Sequence, residues 1–135
     1  MKKEIRNEAK LGKAEGLYSQ GIRCGNQIYT TQIGNVAGGA LVGEGMYEQA
    51  IQTLKNAEDL LSAEGASLND VVKCTIYIVD MADYAELNRA YQEMMPKPYP
   101  ARACVQISRL SPGSKVEMEF IADVSGGPGA ETREP

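Results

Sequence analysis

A chain of 135 residues, 43% hydrophobic and 24% charged, has the size and mixture of one globular domain whose core needs no metal or disulfide staple. The net charge of −4 comes with no Lys/Arg-rich run, which argues against nucleic acid as a partner, because such affinity rests on clustered cations. Histidine is absent, which removes Ser-His-Asp and Cys-His catalysis and a usual zinc site.

In chain order, residues 2–6 read as a short strand and 8–16 as a polar loop. Residues 18–23 and 27–33 are rich in strand formers and flank Gly25-Asn26, the signature of a hairpin. Residues 34–45 hold five glycines and read as a loop. The period then changes. Ala50, Ile51, Leu54, Ala57, Leu60 and Leu61 fall on one stripe of a helix over 46–63, stopped near Gly65.

Residues 71–79 predict a central strand with Val72, Cys74, Ile76 and Ile78 on one face and Val71, Lys73, Thr75, Tyr77 and Val79 on the other. Asp80 or Asp83 caps a second helix running to about Met95, where three prolines between 96 and 100 end it. Residues 101–107 and 115–123 are two more strands, with a turn at Ser111-Pro112-Gly113. The order β-β-β-α-β-α-β-β predicts an α+β domain over 1–124, a mixed six-stranded sheet with two helices on one face, and a disordered tail over 125–135. The face left bare calls for a partner, so an oligomer is expected. No apolar run reaches the ~20 residues of a membrane span, so no membrane partner is expected. Cys24, Cys74 and Cys104 are far apart, and their odd number in a chain with no leader-like start predicts reduced thiols in a cytoplasmic protein.

Without histidine, acid–base chemistry falls to carboxylates, Tyr, Cys, Lys or water. Strand alternation places Arg102, Cys104 and Gln106 on one face, with Ala103, Val105 and Ile107 turned to the expected core. Arg102 can grip a carboxylate through its planar fork, or it can be a structural arginine paired with an acid at the sheet edge. Glu117 and Glu119 share a strand face, and each is either a surface carboxylate or a group that holds water beside a substrate. Asn88 lies on the apolar side of the second helix, where it ties down a loop or reaches a ligand. Cys104 is a reactive thiol if Arg102 lowers its pKa, and otherwise a small buried apolar residue. Tyr18, Thr30 and Thr31 are ordinary strand residues on this reading, and residues 34–45 lack a phosphate-cradling pattern.

The stretch Pro100-Ala101-Arg102-Ala103-Cys104-Val105, followed by Val116-Glu117-Met118-Glu119-Phe120-Ile121-Ala122, resembles the signature of the reactive-intermediate deaminases (Rid/YjgF, formerly L-PSP endoribonucleases). Gly16-Leu17-Tyr18-Ser19-Gln20-Gly21, Val72-Lys73-Cys74-Thr75 and Leu87-Asn88-Arg89-Ala90-Tyr91 extend the likeness over residues 2–124. The resemblance implies a chorismate-mutase-like homotrimer with clefts between subunits, and hydrolysis of short 2-imino or enamine carboxylic acids to 2-keto acids and ammonia, without a metal or organic cofactor. By matching position, Arg102 would hold the substrate carboxylate and Glu117 would orient water. Tyr18 and Thr30 would line the pocket, with Asn88 and Cys104 at or near it. Thr31 stands where the family commonly has Gly, and Leu17 where it has Pro, so two other readings stay open: a specialised deaminase of an aminomuconate-like substrate, or a non-catalytic binder of small carboxylates. Ribonuclease activity, another label of the family, fits poorly with the acidic charge and the missing histidine.

Overall fold

The computed structural model describes residues 1–126. The strands are β1 (Lys2–Ile5), β2 (Gly21–Cys24), β3 (Gln27–Ile33), β4 (Val71–Ile78), β5 (Ala101–Gln106) and β6 (Val116–Asp123), and the helices α1 (Glu8–Leu11), α2 (Met46–Ser62) and α3 (Tyr84–Met94). The six strands form one mixed sheet in the order β1-β2-β3-β6-β4-β5. Only β4 and β5 pair in parallel, and α3 lies in the crossover between them. Gly25 takes the positive φ of 61° that the β2–β3 hairpin turn requires, which sets Cys24 opposite Gln27.

The core lies between one sheet face and the helices. Ile28, Cys74, Ile76, Ile78, Met118 and Phe120 point to that face and are buried. Above them sit Ala50, Leu54, Ala57, Leu60 and Leu61 of α2 with Leu87, Ala90 and Tyr91 of α3. Among the described residues no helix is long and apolar enough to cross a membrane.

A row of polar residues on α2 fastens the glycine-rich loop to the sheet. Gln49 is 0% exposed, and its Nε2 donates to the carbonyls of Gly43 (2.9 Å) and Gly113 (3.0 Å) while Oε1 accepts from Lys115 N (2.8 Å). Asn56 Nδ2 donates to the carbonyls of Ile33 (2.9 Å) and Asn35 (2.8 Å). The loop passes so close that a Cβ on Gly34 would lie 2.6 Å from the Gln49 carbonyl oxygen.

Four expectations are corrected. Residues 8–11 form a helical turn rather than loop, because Leu11 buries itself and Asn7 Nδ2 donates to the Asp59 carbonyl of α2 (2.7 Å). A single turn is too short to show periodicity. The second strand starts at Gly21, not residue 18, so Tyr18 lies in the preceding loop. A bulge between Val71 and Lys73 breaks the alternation of β4, so Val71 is buried and Val72 is exposed. Ala103 and Val105 do not face the core, and Val105 is 44% exposed on the bare side of the sheet. Of the two capping candidates, Asp80 accepts from Ala82 N (2.9 Å), whereas Asp83 makes no side-chain cap bond. The expected tail lies, from residue 127 on, outside the described residues.

Candidate active site

Arg102 opposes Cys74 in the parallel β4–β5 register, which turns its side chain to the helix-covered face at the sheet edge. There it meets one side of α3, where Tyr84, Asn88 and Tyr91 recur at helical spacing. Its Nη2 donates to Asn88 Oδ1 (2.6 Å) and to Tyr84 Oη (3.3 Å), and its Cζ lies 4.6 Å from the centre of the Tyr91 ring. All these partners are neutral. Among the described residues no Asp or Glu lies within ion-pair distance of Arg102. The bonds use Nη2, which leaves Nε and Nη1 to a ligand. Arg102, Asn88, Tyr91, Tyr99 and Pro100 line a cavity of about 350 Å³. The structural ion pair considered for Arg102 is therefore not what holds it.

Cys104, two residues on, is half-buried and packs against the core. Burial raises its thiol pKa, and the nearby Arg102 offsets this only in part. That favours the reading of Cys104 as a small, partly buried apolar residue over that of an activated thiol. Tyr91 serves as an apolar plate. Its hydroxyl is buried without a hydrogen-bond partner among the described residues, and burial pushes it up to about 12.

Glu117 alternates with the buried Val116 and Met118, so it lies on the bare face of the sheet. With Tyr18, Thr31, Asn56 and Ser111 it lines a cavity of about 450 Å³. Burial, and secondly the charge of Glu119, raise its carboxyl above the ordinary value. Tyr18 is 62% exposed at the mouth. Thr31 is exposed and opposes Glu119 across β3–β6. Thr30 points the other way: it is 5% exposed, donates to the Gln20 carbonyl (2.6 Å) and accepts from Gln32 Nε2 (2.9 Å). Its hydroxyl fixes the loop that carries Tyr18 instead of facing Glu117.

Apart from Thr30, the expected site residues thus fall into two groups on opposite faces of one sheet. Arg102, Asn88 and Cys104 lie under α3; Glu117, Thr31 and Tyr18 lie on the bare side. An anion clamp and a raised carboxylate suit hydrolysis of an anionic C=N compound, but one chain does not bring them together. Sequence reasoning missed Tyr84 and Tyr91 as the cradle of Arg102, although their spacing around Asn88 was the available signal. It missed Asn56 and Ser111 as cavity wall, for which no local pattern exists. Among the described residues no three Cys, Asp or Glu side chains converge to hold a metal ion.

The family model described as Endoribonuclease L-PSP matches residues 8–124. A 2-iminobutanoate/2-iminopropanoate deaminase of Mus musculus is 38% identical, over 89% of this chain and 90% of its own. The crystal structure of RidA from the Antarctic bacterium Psychrobacter superposes with a TM-score of 0.84 at 36% identity, covering 90% of this chain and 99% of that one. Escherichia coli TdcF with bound serine superposes with a TM-score of 0.80 at 31% identity, covering 90% and 98%.

Proposed function

Because the chain belongs to the reactive-intermediate deaminase family (Rid/YjgF, described also as endoribonuclease L-PSP), we propose that it hydrolyses short 2-imino or enamine carboxylic acids to 2-keto acids and ammonia. The observation that carries this reading is the Arg102 guanidinium, held by neutral groups with its other donors unspent and, among the described residues, no acid in ion-pair distance. Such a group suits a small carboxylate, gripped through two parallel hydrogen bonds. The name of the mouse relative and the serine bound to TdcF support small amino- and imino-acid ligands.

The site is composed of two copies of the chain. Arg102 and Asn88 of one copy meet Glu117, Thr31 and Tyr18 of the next, in the clefts of a homotrimer of chorismate-mutase-like fold. The bare sheet face supports this, with exposed Tyr29 and Val105 and half-buried Ile22 and Ile121 that no element among the described residues covers. Arg102 fixes the substrate carboxylate. Glu117 takes a proton from water as the water oxygen bonds the imine carbon, and the nitrogen leaves as ammonia. Free imines hydrolyse readily, so placing one water against a fixed substrate supplies the acceleration. The test is release of keto acid from 2-aminoacrylate or 2-iminobutanoate generated in situ. Faster release than in buffer is expected, and no acceleration with any short imino acid rejects the reading.

A further inference from the structure

A second cation without an acid stands near the Arg102 cavity. Past the end of α3, residues 96–100 lead into β5, and Tyr99 and Pro100 of this segment line the cavity. The Tyr99 ring is 45% exposed, and its centre lies 6.1 Å from that of Tyr91. Each ring of this pair has its own cation: Arg102 Cζ lies 4.6 Å from the centre of Tyr91, and Lys97 Nζ lies 5.7 Å from the centre of Tyr99. Lys97 is exposed, and among the described residues no acid lies within ion-pair distance of it. The nearby acids of α3 are engaged elsewhere. Glu86 pairs with Arg89 (2.6 Å), and Glu93 accepts from the Tyr47 hydroxyl and lies 3.9 Å from Arg89. Among the described residues that line the cavity, Arg102 alone is charged. In a chain of net charge −4, this makes a local positive region with room beside it.

We propose that this cavity takes the far end of the substrate, and that the preferred substrate is a dicarboxylic imino acid: Arg102 holds the carboxylate beside the imine carbon, and Lys97 holds the second acid group. Lys97 is thereby a specificity-determining residue. The inference rests on the deaminase reading for its chemistry and names the substrate class of that site. One guanidinium suffices for one carboxylate, so a ligand with a single acid group leaves Lys97 in water and the far end of the cavity unfilled. In a diacid, the carbon chain between the two groups lies against Tyr91 and Tyr99 and covers ring surface that is otherwise open. The Lys97 ammonium rides on a flexible four-carbon stem, which lets it follow an acid group at the end of a short chain. Asn88 accepts from Arg102 through Oδ1, so its amide N–H groups remain as donors on the α3 side of the cavity, as do those of Gln92. A lysine that only covered the Tyr99 ring would not distinguish a diacid from a monoacid.

The test measures binding and turnover separately in the full chain. 2-Oxobutanoate and 2-oxoglutarate, stable keto acids with one and two carboxylates, are titrated by calorimetry against wild type, Lys97→Met and Lys97→Arg. In wild type, 2-oxoglutarate should bind about fivefold tighter at low salt, as one partly exposed ion pair allows, and the ratio should shrink at high salt. Lys97→Met should remove the difference between the two ligands, and Lys97→Arg should keep it. The same preference should appear in kcat/KM for 2-iminoglutarate over 2-iminobutanoate, carried by KM. Equal affinities in wild type, or a preference that survives in Lys97→Met, overturn the proposal, and turnover of 2-iminobutanoate by that protein leaves the deaminase reading standing. A Lys97-dependent preference for 2-oxoglutarate in a protein that hydrolyses no imino acid supports the subsite and removes the deaminase reading instead.

Discussion

Arg102 and Glu117 lie on opposite faces of the same sheet: Arg102 opposes the buried Cys74 on the helix side, and Glu117 lies between the buried Val116 and Met118, pointing away from it. On the proposed reading a reaction that uses both draws them from two chains, and the predictions below follow from that division.

Removing the clamp tests substrate binding. Arg102→Ala should lower kcat/KM for imino acids about 100- to 1000-fold, since charge-assisted hydrogen bonds contribute about 1.5–3 kcal/mol each. Arg102→Lys keeps the charge without the fork and should fall between the two. Steady-state assays on each variant check this, and full activity in Arg102→Ala would rule out the carboxylate clamp.

Glu117→Gln should lose about 10²- to 10⁴-fold in kcat, the usual range for a positioned acid–base group. The same change has an opposite effect on stability. Folding raises the Glu117 pKa, so its contribution is fully present below the unfolded value of ~4.3 and is lost as pH rises through the folded value. Glu117→Gln should therefore melt above wild type at pH 7 and lose that advantage below about pH 4. Thermal melts at the two pH values decide it.

Gln49 joins the glycine-rich loop to the start of β6, two residues before Glu117. Gln49→Leu keeps the volume but strands two carbonyls and one N–H, at a cost of about 3 kcal/mol. Denaturant unfolding should show that loss, and kcat should fall with it.

Thr31 borders both cavities on the bare face. Thr31→Gly should raise kcat/KM for imino acids with longer side chains relative to 2-iminopropanoate. An unchanged ratio across a size series would show that Thr31 does not shape the pocket.

Most of the framework was legible in the sequence. Helical period over α2, the Gly25-Asn26 turn and the alternation of β6 each reflect local physics, and each element formed where its pattern lay. What failed was the assignment of inside and outside on β5. Alternation tells which residues share a face but not which face is covered, and the apolar Ala103 and Val105 lie on the bare side of the sheet. The bulge at Val72 escaped for a related reason, since one extra residue shifts the period without any marker residue. Arg102 and Asn88 could be singled out from the chain alone, because a lone arginine on an apolar strand and a polar residue on an apolar helix face are anomalies, whereas Glu117 was set apart from Glu119 only by the family resemblance. Thr30 could not be sorted from Thr31, because only the fold reveals that one hydroxyl is spent on the Gln20 carbonyl.

The most direct measurement mixes two inactive proteins. Arg102→Ala and Glu117→Gln subunits, unfolded together and refolded at equal amounts, should regain about a quarter of wild-type activity, because random assembly pairs an intact arginine with an intact glutamate across about one interface in four. The double variant carrying both changes, refolded alone, should stay inactive. No recovery in the mixture, with mixed oligomers verified by mass, would mean that both groups act from one chain, contrary to the opposite faces they occupy.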